Sequence, residues 1–284
     1  VCDIISYTPF EVADATFTGT TTLDGAVVIN ESSADVDFRV ESDNLTHALF
    51  VQGSDGKISI GNSAPAANLE ITQSGNNVGL LVSGGGYNYT AKFESSDAEA
   101  NIIIEDSNST NNGNMIGVAT NDMYFVTNGT ERMRIDATGA VTKPLQPAVQ
   151  AHVASTQSNI EAGALYTIPF ATEVFDQNSD FNNSNFTFTA PVTGKYMLSV
   201  AATIGGMPLA SDYFQYHIAT SLGNYNSTTD PDAFDTSPVY FGFNYNALID
   251  MDANDTCLVQ FYIQGTVDTT DFYPQTYLSI FLAC

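Results

Sequence analysis

The chain has 284 residues, 43% of them apolar and only 14% charged, and its 32 acidic side chains against 7 basic ones leave a net charge of −25. This length exceeds what one ordinary domain needs, and the charge excludes nucleic acid and anionic membrane surfaces as partners, because both require clustered Lys and Arg. No apolar run reaches the ~18 residues that insert across a bilayer, no signal peptide is visible at Val1, and any anchor to a larger body is expected upstream of it.

Thr, Ser and Asn carry the polarity that charge does not supply. Thr and aromatic residues favour pleated strands, while Asn, Asp, Gly and Ser favour turns, so an all-β protein of many short strands is expected. Residues 15–30 (ATFTGTTTLDGAVVIN) read as strand, turn, strand, broken at Gly19 and Asp24-Gly25. From Val36 onward short alternating runs repeat: VDFRVE, ALFVQ, KISIG, NLEIT, GLLVS, TAKFE, NIIIE, MYFVT and RMRID, the last ending at Asp136. Each holds about five residues and cannot bury an apolar face alone; stacking along an axis or wrapping three chains around one solves that. Pro144 and Pro147 then punctuate the chain. The expected organisation is an N-terminal β segment (1–35), a repetitive fibrous shaft (36–146) and a head (147–284).

In the head the strands lengthen and turn aromatic: FTFTA from Phe186, KYMLSVAA from Lys195, YFQYHIA from Tyr213, VYFGFNYN from Val239, CLVQFYIQ from Cys257 and YLSIFLA from Tyr277. That density predicts a β-sandwich of Greek-key or jelly-roll type. Two stretches between them, residues 221–238 (SLGNYNSTTDPDAFDTSP) and 267–275 (VDTTDFYPQ), read as exposed loops that combine aromatic anchors with hydrogen-bonding groups. They supply the receptor-binding candidates Tyr225, Asn226, Asp230, Asp232, Phe234, Asp271, Phe272 and Tyr273.

No catalytic residue is predicted. His47, His152 and His217 share no ligand spacing, and no nucleophile, zinc or phosphate-loop motif occurs. The run Asp250-Met251-Asp252-Ala253-Asn254-Asp255 imitates the first half of a calcium loop, but position six is not Gly and position twelve is Phe261, which excludes an EF-hand. A strand-end turn is the plain alternative to a weak calcium site. No cofactor or metal is otherwise expected. Cys257 and Cys284 stand either as free thiols or as a bridge between the last strands of the head.

Two stretches resemble known families. ERMRIDATGAV (131–141), GKISIG (56–61) and FTGTTTLDGAV upstream are similar to bacteriophage tail-fibre repeats. In the head, IPFATEVFD from Ile168, FTFTAPVTGKYMLSV from Phe186 and the end of the chain from Asn254 resemble the complement-type globular head, a relative of the tumour-necrosis-factor jelly roll. Phe188, Pro191, Gly194 and Tyr196 fill that family's Phe-x-x-Pro-x-x-Gly-x-Tyr phrase, and Asn254-Asp255 stands where it has Gly-Asp. The resemblance implies a homotrimer of ten-stranded sandwiches that binds ligands at its apex or between protomers, with Tyr196 in the core. The function it implies is a tail fibre on the virion surface, which attaches through the head to a host glycan or protein and meets other virion proteins on its N-terminal side. The alternatives are a secreted, lectin-like adhesion protein with the same head and a polysaccharide-depolymerising tailspike.

Overall fold

The computed structural model describes residues 18–20, 22, 24–25, 29, 35–73, 79–82, 91–110, 112–206, 209–265 and 269–284. They are all-β apart from a single 3-10 turn. They divide into two units, one ending at Lys92 and the other running from Phe93 to Cys284. The strand-turn-strand expected over 15–30 lies largely outside the described residues.

In the first unit β1 (Phe38–Val40), β2 (Leu49–Val51), β3 (Ile58–Ile60) and β4 (Leu69–Ile71) form a sheet in chain order. Pairing places Phe38, Val51, Ile58 and Leu69 in one row, flanked by Val40–Leu49 and Ile60–Ile71. Side chains alternate across a pleated sheet, so all eight share one face, and most of that face is exposed. The reverse face holds Phe50 and Ser59, both buried against the sheet's own connections: the His47 ring meets Phe50 edge-on, and Ser59 donates to the Asn62 carbonyl.

The second unit opens with a five-stranded antiparallel meander, β5 (Glu99–Ile103), β6 (Met115–Ala119), β7 (Asp122–Thr127), β8 (Thr130–Ile135) and β9 (Val141–Thr142). Ala100, Val118, Met123, Ile135 and Val141 form one row and Ile102, Ile116, Phe125 and Met133 the next. These nine apolar residues also share one face. The other face carries a polar network beside a third apolar row, Ile103, Met115 and Val126. The Tyr124 hydroxyl donates to Glu99 and Asn101, and Arg134 lies over the Tyr124 ring while pairing with Asp122 and Glu131. Gly117 makes room for that ring, since a Cβ there would stand 2.6 Å from Tyr124 Cζ.

Most of the short strands expected over 36–146 fall where their alternation predicts, with corrections. NIIIE begins its strand two residues early, at Glu99, and MIGVA, not anticipated, is a strand. GLLVS and TAKFE are not strands over their described residues, 79–82 and 91–94. Neither is paired into a sheet over those described residues, and a strand forms only where a neighbour takes up its backbone groups.

The chain then passes into a sandwich without a free linker. Gln177 and Asn178 donate to the carbonyls of Lys143 and Leu145, and Gln146 to that of Leu282. The remaining strands are β10 (Ala148–His152), β11 (Gln157–Glu161), β12 (Tyr166–Thr167), β13 (Thr172–Asp176), β14 (Phe181–Asn182), β15 (Thr187–Thr189), β16 (Gly194–Gly205), β17 (Tyr213–Thr220), β18 (Gly223–Thr229), β19 (Tyr240–Met251), β20 (Thr256–Gln264), β21 (Thr269–Phe272) and β22 (Tyr277–Leu282). One sheet runs β13-β10-β22-β16, with β19 on the far edge of β16, and with β21 and β11 continuing beside the end of β16. The other runs β14-β15-β20-β17-β18, with β12 also on β20. From β16 onward the chain alternates between sheets: β17 and β18 cross over, β19 returns, β20 crosses again, and β21 and β22 return. This is a jelly roll.

The core lies between these sheets. Tyr196, Leu198, Val200 and Ile204 of β16 meet Phe214, Tyr216 and Ile218 of β17 and Val259, Phe261 and Ile263 of β20, all fully or almost fully buried. Tyr196 is buried as its phrase implies, and its hydroxyl donates to the Val192 carbonyl at 2.7 Å. Gly194 is required because the end of the chain crosses it: a Cβ there would stand 2.8 Å from the Cys284 carbonyl oxygen. Cys257 and Cys284 are both free thiols, the first buried and the second exposed.

Candidate functional site

The two expected loops are largely ordered structure, which changes what their residues can do. Within 221–238, residues Gly223–Thr229 are the edge strand β18 and Pro231–Ala233 the 3-10 turn. The unstructured connection expected there is corrected: Asn and Thr, read as loop residues, pair along β17 from Thr220↔Gly223 to Phe214↔Thr229. Residues 267–268 lie outside the described residues, but Thr269–Phe272 is β21, with Thr270 and Phe272 buried.

The eight candidates therefore separate. Phe272 is 0% exposed, with its ring 5.0 Å from that of Phe261, so it belongs to the core and cannot stack on a ligand. Asp271 is half-buried and accepts from the Asn159 amide at 2.8 Å. Tyr273 is half-buried, its ring edge-on to Tyr240 at 5.1 Å. Phe234 packs against the core through Phe241. Asp230 caps the 3-10 turn by accepting from the Asp232 amide, and both carboxylates remain exposed. Tyr225 and Asn226 are exposed neighbours on β18 that face opposite ways. Tyr225 pairs with buried Ile218 and so lies on the sandwich's inner face at its rim, whereas Asn226 pairs with His217 on the outer face.

That outer face is the surface the sequence reading missed. Registry places Thr167, Gln260, His217 and Asn226 in one row and Tyr262, Gln215 and Thr228 in the next. Leu258, Ala219 and Asn224 lie on one side, and Gln264 and Tyr213 on the other. None of these positions is acidic or basic, apart from His217. Burial holds that ring's pKa below its ordinary value, which favours the neutral imidazole. Hydrogen bonds fix the array: Gln215 donates to Thr228 at 2.8 Å, His217 and Gln215 lie 3.1 Å apart, and the Tyr262 hydroxyl donates to Gln264 at 2.7 Å. His217 Nδ1 is buried and has no hydrogen-bond partner among the described residues. The result is an uncharged, hydroxyl- and amide-rich sheet face within an acidic chain. Its signal in the sequence is the polar residues that alternate with core residues along β17 and β20.

The turn at 250–255 binds itself. Asp255 accepts from the Asp252 amide and the Ser221 hydroxyl, Asp252 accepts from Thr193, and Asp250 pairs with Lys195. Asn254 takes a φ of 76°, the left-handed conformation that Asn tolerates in place of Gly. Among the described residues no group of three or more His, Cys, Asp or Glu side chains is placed to hold a metal ion.

No protein-family pattern matches the chain, and no curated protein matches it. Solved structures do. The globular domain of zebrafish complement 1qA is 14% identical over 49% of this chain and 98% of its own, with a TM-score of 0.37. Murine APRIL is 8% identical over 48% and 98%, with a TM-score of 0.37. The Eiger TNF of S. frugiperda is 11% identical over 49% and 94%, with a TM-score of 0.36. The strand pairing above, not these scores, defines the jelly roll.

Proposed function

We propose that the chain is the attachment fibre of a bacteriophage: a homotrimer on the virion surface, joined to other virion proteins on its N-terminal side, whose C-terminal sandwich binds a host receptor and catalyses no reaction. The observation that carries the binding role is the uncharged outer face around Gln215, His217, Gln260 and Asn226. Rigid amides, hydroxyls and a tyrosine ring match a ligand that presents hydroxyls and little charge. After Lys195 the chain has nine Asp and no Lys or Arg. A phosphate-rich surface is repelled by them at close range, so the receptor class is a neutral glycan, with the exposed carboxylates of Asp230 and Asp232 accepting from further hydroxyls.

Labelled full chain on an array of neutral and anionic glycans tests the binding role. A neutral ligand is expected, with binding reduced at least tenfold by Asn226→Ala combined with Thr228→Ala and unchanged by calcium chelation. Binding confined to anionic glycans in the presence of calcium overturns it in favour of a cation bridge. Peptide mass spectrometry of purified virions tests the fibre itself; peptides found only among secreted proteins overturn it in favour of the adhesion alternative.

A further inference from the structure

We propose that Nδ1 of His217 accepts a hydrogen bond from a ligand hydroxyl on the outer face of the sandwich, so that the face selects a ligand with a hydroxyl free to donate there and releases it in acid. The proposal rests on the binding role proposed above and assigns its specificity and its pH dependence to one ring.

The hydrogen bonds of the face have a direction. The Gln215 amide nitrogen donates to the Thr228 hydroxyl at 2.8 Å, which leaves Gln215 Oε1 turned to the imidazole, 3.1 Å from His217 Nε2. An amide oxygen only accepts, so Nε2 carries the proton. A neutral imidazole has one donor and one acceptor, and Nδ1 is therefore a bare lone pair. The His217 side chain is 8% exposed, and Nδ1 receives no hydrogen bond among the described residues. Buried polar groups are nearly always paired, so this lone pair marks the place of a donor that the face itself does not supply.

The neighbours define that donor. Register puts Asn226 of β18 and Gln260 of β20 on either side of the ring, Gln215 and Ala219 along β17, and Thr228, Asn224, Tyr262 and Leu258 on the diagonals. No carboxylate, Lys or Arg stands among them. The only other titratable group is the Tyr262 phenol, whose proton is directed to Gln264 at 2.7 Å. An ammonium donor would find no counter-charge there, whereas a hydroxyl donates without bringing a charge. Gln260 is tied to the Thr167 hydroxyl at 3.3 Å, while Asn226 is exposed on the edge strand, so Asn226 is the side chain that moves aside to admit the ligand. Protonation of Nδ1 converts the acceptor into a donor, and two donors then face each other. Burial holds the ring's pKa below its ordinary value, so this loss belongs to acid and not to neutral solution.

Two substitutions separate the two ring nitrogens. His217→Asn keeps an amide oxygen near the position of Nδ1 and does not titrate. His217→Gln reaches the position of Nε2 and leaves that of Nδ1 empty. Full chain labelled with ¹⁵N-histidine gives the tautomer and the titration of the ring by NMR, and the same chain on an array of neutral glycans gives binding from pH 7.5 down through that titration. The Nε2–H tautomer is expected, with binding falling at least tenfold as the ring protonates. His217→Asn is expected to bind within about threefold of the wild type at pH 7.5 and to lose the pH dependence. His217→Gln is expected to bind at least tenfold more weakly at an unchanged melting temperature; if it does not fold, the wild-type tautomer and pH profile still decide. An Nδ1–H tautomer, binding that persists once the ring is protonated, or a pH dependence that survives in His217→Asn overturns the inference and leaves the binding role in place. A wild type that binds no neutral glycan at any pH overturns both.

Discussion

The Phe188 ring meets the Tyr196 ring edge-on at 5.4 Å, and the Tyr196 hydroxyl turns back to the Val192 carbonyl three residues after Thr189, where β15 ends. One side chain thereby joins the two sheets and fixes the bend between β15 and β16. Replacing Tyr196 by Ala removes a fully buried ring and is expected to cost ~3–5 kcal/mol. Tyr196→Phe removes only the hydrogen bond and is expected to cost ~1 kcal/mol. Urea unfolding followed by tyrosine fluorescence measures both; equal costs for the two variants would mean that the ring packing contributes little.

How much of this was legible follows from what each strand pairs with. The alternation of KYMLSVAA and CLVQFYIQ is visible because every second residue enters the core, so β16 and β20 could be placed from sequence. The edge strand β18 was not, since its pattern is Asn, Ser and Thr; it is a strand only because β17 lies beside it, a tertiary fact. GLLVS fails in the opposite sense, having strand composition without a partner. For the site, the sequence directed attention to aromatic residues between strands, yet Phe272 and Phe234 pack inward. The polar face of β17 and β20 was hidden because partners such as His217 and Gln260, or Gln215 and Tyr262, are far apart in sequence and meet only through registry.

The turn at Asp176–Asp180 is expected to respond to pH. Burial, and then the neighbouring charge of Asp176, raises the Asp180 carboxyl above its ordinary value, partly offset by a hydrogen bond from Asn178, and its Oδ2 is buried with no hydrogen-bond partner among the described residues. A carboxyl whose folded pKa is raised holds its proton more tightly in the folded state. Its contribution is therefore fully present below the unfolded pKa and is lost as pH rises through the folded value. Asp180→Asn is expected to raise the melting temperature at pH 7, with the gain vanishing near pH 3. A gain of equal size at both pH values would exclude the ionisation as its cause.

The two described thiols are expected to differ in reactivity. Cys257 lies in the core on β20, where burial pushes its pKa up to about 12, while Cys284 is exposed. The thiolate is the reactive form, and burial removes both the charge and the access. Iodoacetamide at pH 8, with labelled peptides mapped by mass spectrometry, is expected to modify Cys284 within minutes and Cys257 only after unfolding. Equal labelling of both in the native protein would show that β20 opens at its Phe188↔Cys257 pair.

Phe272 and Asn226 separate folding from recognition. Phe272 pairs through β21 with Ile204 of β16 and Gln157 of β11, and its ring stands among those of Phe261, Tyr216 and Tyr166. Its removal leaves a cavity in an aromatic cluster, so Phe272→Ala is expected to cost ~3–5 kcal/mol. Any loss of glycan binding should then track the unfolded fraction and return on cooling or in a stabilising osmolyte. Asn226 is an exposed residue whose side chain fills no cavity, and Asn226→Ala is expected to change stability by no more than ~0.5 kcal/mol while weakening glycan binding at every temperature at which the protein is folded. Melting curves and binding isotherms on the same two samples decide the matter. If Phe272→Ala keeps the wild-type melting temperature and still loses binding, its ring is reached by the receptor and β21 leaves the sheet to meet it. If Asn226→Ala binds as the wild type does, the outer face of β17 and β18 is not the contact, and the exposed carboxylates of Asp230 and Asp232 become the next positions to substitute.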